Sequence, residues 1–353
     1  MKNSKKEVLI TGGCGFVGRH LVKKLILKDQ SLFIIDNLFT GQHPDSWLGN
    51  SWSRTELGHI ILFEKDGISI KYLERDVISV FNDLVNGSLD VEIPDFSDVY
   101  HLASIVGGRS LIEGDPMLVA TDLSIDTTFF LWATRFPHKF DRILFTSSSA
   151  AYPVDLQTDK SVVALKEEMV TFSGNLGMPD MTYGWSKLTG EYLAHLAHKY
   201  YGLHVACVRP FSGYGEDQDL SYPVPSIALR VARHDNPIDV WGTGEQSRDF
   251  VYIDDCIEAM FVILDKIKDG RGVNIGSGIP TSFNDLINLL LKLENYSGEI
   301  NRMLDKPIGV QSRYADTTIL NQEIGWKPSI SLEDGMRRVL KGSHRRLDNK
   351  LIS

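Results

Sequence analysis

The sequence predicts an α/β fold in which a doubly wound parallel sheet is followed by a smaller C-terminal lobe. Three observations predict it. Short apolar runs alternate with segments of helical periodicity over the first 210 residues, a glycine-rich turn joins the first run to the first helix, and the pattern loosens after Pro210. A chain of 353 residues has room for about two such parts, which we place at 1–210 and 211–353, with some chain of the second part crossing back to the sheet.

The alternation defines each element in order. Glu7 to Thr11 is an apolar strand, residues 17–27 have helical spacing, and residues 31–36 form the next strand. This βαβ unit requires parallel pairing and a right-handed crossover. Further strands are predicted at 70–76, 99–103, 143–147, 205–209, 238–241 and 250–253, helices at 116–135, 182–201, 225–233, 255–266 and 283–293, and a long loop at 41–59.

Composition excludes several classes of protein. The chain is 42% hydrophobic and 24% charged, as in ordinary globular proteins. Its net charge of −9 disfavours a nucleic acid partner, because the field of the protein repels a phosphate backbone. Nothing approaches the apolar run that a membrane span requires. Three cysteines, Cys14, Cys207 and Cys256, are an odd number and favour a reducing compartment, so we expect a cytoplasmic location.

The glycine-rich turn TGGCGFVG spaces Gly12, Gly15 and Gly18 between a strand and a helix. Such glycines let the backbone approach a pyrophosphate, which binds at the free N–H groups of the helix start, here Phe16 and Val17. A turn needed only for packing is the alternative. Asp36 ends the next strand, where a carboxylate can bind ribose hydroxyls and repel a ribose phosphate, so the pattern predicts NAD rather than NADP.

Tyr183 and Lys187 form a Y-x-x-x-K pair on one helix face. About one such pair is expected by chance in a chain with 12 tyrosines, so the pair alone carries little weight. Ser148 follows the strand that precedes this helix, at the sheet edge where doubly wound folds bind ligands. A hydroxyl, a phenol and a lysine meeting there predict proton transfer, since positive charge lowers the pKa of a phenol.

These motifs resemble the short-chain dehydrogenase/reductase superfamily, and specifically its extended branch of nucleotide-sugar epimerases, dehydratases and reductases with a Rossmann-type sheet. The resemblance runs from about Val8 to about Val339. The segments that carry it are TGGCGFVG, Asp36 with Asn37, RDV at 75–77, HLAS at 101–104, FTSSSAAYP, YGWSK at 183–187, RPFSGYG at 209–215, GTGEQSRDFVYIDD at 242–255 and NIGSG at 274–278.

The resemblance implies roles for individual residues. Ser148, Tyr183 and Lys187 would be catalytic, with the last two also contacting NAD. Arg248 and Arg313 would clamp the diphosphate of a nucleotide-sugar, with Ser149 and Ser212 as further substrate contacts. A homodimer through the helices at 116–135 and 182–201 is also implied. The additional cofactor contacts it implies are Asn37, Asp76 and Val77 at the adenine end and Leu102 and Ala103 near the nicotinamide.

Departures from the family pattern narrow the reaction. A 4,6-dehydratase has Asp and Glu where this chain has Ser149 and Ala150, and decarboxylating relatives have Glu at the position of Ala150. The 3,5-epimerases use Cys at that position and His or Lys near Tyr222. Alanine cannot move a proton, so the sequence predicts an NAD-dependent nucleotide-sugar 4-epimerase. A C4 dehydrogenase or 4-keto reductase is the alternative, ahead of a 3,5-epimerase or a non-catalytic NAD-binding protein.

Weaker signals have more than one interpretation. His195 and His198 are spaced for a metal, but no third ligand is evident, so no metal site is predicted and a solvated helix face is favoured. Arg109 and Glu113 could contact the sugar or the solvent. Glu167 and Glu168 are expected on a polar loop or helix face. Ser212 also stands where relatives often have Asn.

Overall fold

The computed structural model describes residues 6–158 and 162–352, and it confirms the predicted α/β class. The apolar runs found in the sequence form strands, and several short strands accompany them. The strands are β1 (Glu7–Thr11), β2 (Leu32–Asp36), β3 (Ser53–Leu57), β4 (Ile60–Lys65), β5 (Ile68–Glu74), β6 (Phe96–His101), β7 (Phe140–Thr146), β8 (Val205–Pro210), β9 (Ser212–Tyr214), β10 (Ile238–Trp241), β11 (Ser247–Tyr252), β12 (Asp269–Ile275), β13 (Pro280–Ser282), β14 (Ile300–Met303) and β15 (Ser312–Arg313).

The helices lie where helical periodicity predicts them, with three additions: α2, α3 and α10. A π-helical turn, Ile319–Glu323, precedes the last helix. The α-helices are α1 (Phe16–Ile26), α2 (Val77–Asn86), α3 (Arg109–Gly114), α4 (Pro116–Val119), α5 (Thr121–Arg135), α6 (Met181–Tyr201), α7 (Pro223–Ala232), α8 (Ile253–Lys266), α9 (Phe283–Glu294) and α10 (Leu332–Ile352).

Within the described residues, nine strands form the large sheet in the order β12-β8-β7-β6-β1-β2-β5-β4-β3. Pairing is parallel from β12 to β5, and β4 and β3 extend the edge as an antiparallel hairpin. Every residue of β2 is buried because helices cover both faces of the sheet. Helices α1 and α8 pack together on one face, and α2, α5 and α6 pack in a row on the other.

Strand order positions the site. β1 lies between β2 and β6, so the direction of winding reverses at β1 and leaves a crevice beyond the carboxyl ends of β1 and β6. Gly12 follows β1 at this crevice and Leu102 follows β6. Ser148 lies just beyond the neighbouring β7. The fold therefore brings the glycine turn and the candidate catalytic serine to one edge of the sheet.

Smaller sheets carry the later segments. β11 pairs with β9, β13 and β15, and β10 pairs with β14. β12, from the second predicted part, belongs to the large sheet. The division at residue 210 stays a prediction. In the part of the chain that the structure describes, no helix is both long enough and apolar enough to cross a membrane.

Two predicted elements need correction. The loop at 41–59 is wrong in its second half, because Ser53–Leu57 forms the edge strand β3. All five of its residues are exposed, so no alternation of apolar and polar residues marks it as a strand. The helix at 116–135 is two helices, α4 and α5, that meet at Ala120, with the Asp115 side chain capping the first.

Candidate active site

The glycine turn is shaped to receive phosphate. Gly12 has φ +72°, and a Cβ there would lie 2.7 Å from the backbone nitrogen of Ala103. A Cβ on Gly18 would lie 2.3 Å from the carbonyl oxygen of Gly12, so α1 packs directly onto the turn. Gly15 begins α1 without a side-chain cap, which leaves helix N–H groups available to an anion. The turn therefore fits the pyrophosphate of a dinucleotide.

Asp36 lies beside this turn at the end of β2. Its Oδ2 accepts a hydrogen bond from the backbone N–H of Cys14 at 2.9 Å, and its Oδ1 accepts one from Leu38 at 2.8 Å. The side chain is buried, and this burial raises its pKa. Asp36 thus holds the turn in place, and its remaining lone pairs are suited to ribose hydroxyls.

Asn37 and Asp76 meet next to Asp36, as expected for neighbours at the adenine end. Asn37 donates to Asp76 Oδ2 at 3.2 Å. The other oxygen of Asp76 caps α2 by accepting from the backbone of Ile78 at 3.0 Å. Val77 begins α2 and is buried, and Leu102 N donates to Thr11 O beside the turn at 3.1 Å. The predicted cofactor residues therefore surround one crevice, although their contacts with NAD stay a prediction.

Ser148 and Tyr183 are brought together by close packing of a turn against α6. Asp180 N donates to Ala150 O at 2.9 Å, and a Cβ on Gly184 would lie 2.3 Å from the same oxygen. Ser148 begins this turn, and its side chain lies close enough to that of Tyr183 to lower the pKa of the phenol, against the larger effect of burial, which raises it. The glycine after Tyr183 therefore allows α6 to approach the turn that carries Ser148.

Lys187 lies one helical turn after Tyr183, with its Nζ 5.8 Å from the centre of the phenol ring. Burial raises the pKa of Tyr183, whereas the charge of Lys187 lowers it. The charge of Lys187 acts in the direction that the sequence predicts, but burial outweighs it, so the pKa of the phenol lies above its ordinary value.

Asp122 is a site residue that the sequence interpretation missed. Its Oδ2 lies 3.8 Å from Lys187 Nζ, and it accepts hydrogen bonds from Ser104 Oγ at 2.6 Å and Ile105 N at 2.5 Å. Burial alone lowers the pKa of Lys187, but Asp126 and Asp122 outweigh this effect and raise it. Lys187 is therefore charged.

His101 is fixed by contacts with neighbouring buried side chains. One of its ring nitrogens lies 2.8 Å from Thr11 Oγ1 and the other 3.3 Å from Asp126 Oδ1. Its ring stacks on Phe129 with centroids 3.9 Å apart.

Three arginines gather at the mouth of the site. Arg248 and Arg313 are paired residues on the parallel strands β11 and β15. Arg313 binds Asp180 at 2.9 Å, and Arg109 binds both oxygens of that carboxylate at 2.9 and 3.0 Å. Arg248 donates to the carbonyl oxygens of Ser247 and Ile308. This surplus of positive charge suits a small polyanion.

Arg248 is the arginine of this group with the least counter-charge. Among the described residues it forms no ion pair with a carboxylate. Burial lowers its pKa, and the neighbouring charge of Arg313 lowers it further.

The remaining predicted substrate contacts lie near these groups. Ser149 is buried in the turn after Ser148. Ser212 pairs with Phe250 on β11, two residues beyond Arg248. Tyr222 begins α7, and its pKa is raised by burial and by Tyr183, which places the two phenols in one cleft. No sequence motif indicates that Tyr222 lies in this cleft.

Glu167 is buried rather than on a polar loop or helix face, which corrects the expectation from the sequence. It is buried, and its carboxylate accepts from the backbone of Asn274 at 3.0 Å. Its carbonyl accepts from Arg209, which also binds Glu191 through two hydrogen bonds of 2.8 and 2.7 Å. This buried network holds the segment between Ser148 and Tyr183 against β8 and β12.

Comparison with known proteins places the fold and the motifs in context. Residues 8–276 match the model of the NAD dependent epimerase/dehydratase family. A putative UDP-glucose 4-epimerase of Methanocaldococcus jannaschii is 29% identical over 94% of this chain and 97% of its own length. UDP-glucuronic acid decarboxylase 1 of Xenopus tropicalis is 24% identical over 99% of this chain and 75% of its own.

Solved structures share the same fold. A UDP-glucose 4-epimerase from Thermotoga maritima, crystallised with UDP-glucose, superposes with a TM-score of 0.77 at 22% identity, over 97% of this chain and 99% of that one. At this identity the likeness concerns the fold.

Proposed function

The chain belongs to the NAD dependent epimerase/dehydratase family, and we propose that within this family it is a nucleotide-sugar 4-epimerase. Membership confirms three predictions from the sequence, namely the family, an enzyme, and NAD as its cofactor. Reversal of configuration at C4 of the sugar is the finer assignment that we propose. It is based on the side chains beyond the carboxyl end of β7.

One observation carries the proposal: beside Ser148, Tyr183 and Lys187 the chain has alanine at position 150. Ser148, Tyr183 and Lys187 meet at the crevice. Ala150 occupies the position where the resemblance places an additional acid, base or thiol in dehydratases, decarboxylases and 3,5-epimerases. It is buried and has no group that exchanges a proton. The set is therefore suited to oxidising and reducing one hydroxyl group.

Tyr183, Ser148 and Lys187 have separate roles in the proposed reaction. Bound NAD supplies the acceptor and donor of the hydride at C4. Tyr183 first loses its own phenol proton to solvent, and the phenolate oxygen then takes the proton of the 4-hydroxyl during oxidation and returns it during reduction. Ser148 forms a hydrogen bond with the same sugar oxygen. Burial raises the pKa of the Tyr183 phenol, whereas Lys187 and Ser148 lower it. Release of the phenol proton therefore depends on these two residues.

Inversion at C4 then requires the 4-keto sugar to turn within the pocket, so that the hydride returns to its other face. The nucleotide must stay bound during this motion. We infer that Arg248 and Arg313 hold its diphosphate. Of these two adjacent guanidinium groups only Arg313 has a carboxylate partner among the described residues, Asp180, which it shares with Arg109, so the pair has positive charge left for the diphosphate. One relative is named as a putative UDP-glucose 4-epimerase, and one structural neighbour was crystallised with UDP-glucose. Both support a nucleotide-sugar as the substrate.

Net oxidation or reduction at C4 would use the same three catalytic residues, so a C4 dehydrogenase or 4-keto reductase is the second candidate. The test is to incubate the purified protein with UDP-, GDP-, CDP- and dTDP-sugars and record both sugar configuration and NADH absorbance. A change of configuration at C4 without accumulation of NADH supports the 4-epimerase. NADH formed in proportion to sugar consumed would exclude it.

We further infer that the enzyme is a homodimer through α5 and α6. These helices pack side by side and leave apolar side chains exposed, among them Leu131, Trp185 and Tyr192. Sedimentation at several concentrations, with Leu131→Glu as the disrupting variant, tests this assembly. The cytoplasmic location stays a prediction from the cysteine content.

A further inference from the structure

We propose that Asp180 is a resident competitor for the substrate diphosphate, and that it exchanges its bond with Arg313 when the diphosphate binds. The inference rests on the proposed function, in which Arg313 contacts that diphosphate. It assigns to Asp180 a role in binding specificity that is separate from the proton-transfer set. No motif in the sequence marked this residue.

The geometry gives Asp180 two cationic partners at once. Its Oδ2 accepts from Arg313 Nη2 at 2.9 Å, and both of its oxygens lie within 3.0 Å of Arg109 Nη1. The Asp180 side chain is 8% exposed and that of Arg313 is 12% exposed. Although burial raises the pKa of Asp180, Arg313 and Arg109 outweigh it and lower the pKa below its ordinary value. The carboxylate is therefore charged and occupies an anion position.

The charge in this cluster is not balanced. Arg109 and Arg313 bind Asp180, and Arg248 is near enough for the charge of Asp180 to raise its pKa against the larger effect of burial, which lowers it. The other carboxylate on Arg109 is that of Glu113, which is 33% exposed and more screened by solvent. A diphosphate brings at least two negative charges to the cluster. A diphosphate can accept hydrogen bonds from Arg248 and Arg313 together, whereas the carboxylate of Asp180 binds only Arg313 of these two. Binding of the diphosphate therefore favours displacement of Asp180 from Arg313.

Asp180 also adjoins the catalytic residues. It precedes α6 in the position of a capping residue, yet its side chain makes no cap hydrogen bond because the arginines hold it. Its backbone N–H binds Ala150 O, and its carbonyl accepts from Gly184 N at 2.8 Å. The exchange at Arg313 thus takes place beside the turn that carries Ser148 and three residues before Tyr183. Loss of Asp180 should therefore disturb turnover even though it removes a competing anion.

The test separates binding from turnover. UDP, GDP, CDP and dTDP are titrated calorimetrically into the wild-type enzyme, and the nucleotide that binds best is titrated into Asp180→Asn. Removing one negative charge at this distance should tighten diphosphate binding by about fivefold or more while kcat falls. Asp180→Ser is the second neutral variant. Serine is a favoured residue at the start of a helix, so this variant is expected to fold even if Asp180→Asn does not.

Glu113→Gln is the matched control, because it removes a more exposed carboxylate from the same arginine. It should change the affinity by less than about twofold. Unchanged or weaker diphosphate binding in both folded Asp180 variants would overturn the inference, since a merely structural role weakens binding and turnover together. If the wild-type enzyme binds none of the four diphosphates, the proposed function fails and this inference fails with it.

Discussion

The Nζ atom of Lys187 lies 3.8 Å from Oδ2 of Asp122, with 3% of one side chain and none of the other exposed. A buried ion pair costs desolvation free energy to form, and removing one partner is strongly destabilising. Its position beside Tyr183 indicates that the pair serves the site. Asp122 also binds Ser104 and Ile105, in the loop that follows β6. It therefore fixes Lys187 relative to the cleft.

The first prediction concerns Asp122→Asn. The carboxylate raises the pKa of Tyr183, so its removal should move the pH at which Tyr183 loses its proton to a lower value. Lys187 stays charged through Asp126. The rise of kcat with pH should therefore shift toward acid, while the maximal rate falls because Lys187 is held less firmly. The kcat–pH profile measures both effects, with the exposed Asp141→Asn as control, and a shift toward alkali would contradict this account.

The second prediction is that Tyr183→Phe abolishes turnover. Loss of a general acid and base costs about 10²- to 10⁴-fold in rate. Tyr192→Phe, on the exposed face of the same helix, should have nearly wild-type kcat. Rates are compared with saturating NAD and sugar. Near-normal turnover by Tyr183→Phe would remove the proposed proton carrier.

The third prediction compares two glycines. Gly12 and Gly49 both have positive φ, but a Cβ on Gly12 would meet the backbone of Ala103 whereas a Cβ on Gly49 meets nothing within 4 Å. Both alanine variants pay a backbone cost of about 1–2 kcal/mol. Only Gly12→Ala should lose NAD affinity, by about tenfold or more. Calorimetric titration measures the affinity of each variant for NAD. Equal affinities in the two variants would contradict the proposal that the turn at Gly12 binds NAD.

The fourth prediction concerns Arg248→Met and Arg313→Met. Each removes a guanidinium from the proposed diphosphate site, so the Kd for the nucleoside diphosphate should rise about 10- to 100-fold. Affinity for NAD should not change. Arg302→Met, an arginine bound to Thr243 and Asn284 at the surface, is the control. Equal losses in all three variants would argue against a specific clamp.

The fifth prediction is about stability. Glu191 binds Arg209 with both oxygens in the interior, so Glu191→Gln leaves a buried cation short of its partner and should cost about 3–5 kcal/mol. Glu258→Gln breaks a partly exposed pair with Lys24 and should cost less than about 1 kcal/mol. Urea unfolding measures both changes. Similar losses would show that burial does not set the strength of these pairs.

The sequence was informative where chemistry is local. The glycine turn and the Tyr183–Lys187 pair each lie within a few consecutive residues, and Asp36 ends a readable strand. Asp122, Asp180 and Glu167 could not be found in this way, because their partners come from distant segments and a lone acid on a helix or loop normally faces solvent. Strand β3 could not be predicted for a related reason, since none of its side chains is buried.

The most direct test of the 4-epimerase assignment is the fate of a deuterium label at C4 of the nucleotide-sugar that the enzyme converts. A hydride that leaves C4 and returns to it predicts a product inverted at C4 that keeps the label there and takes up no deuterium when the reaction is run in heavy water. Label transferred to free NADH would indicate a C4 dehydrogenase. Solvent deuterium at C3 or C5 would indicate a 3,5-epimerase, and either result would contradict the proposed function.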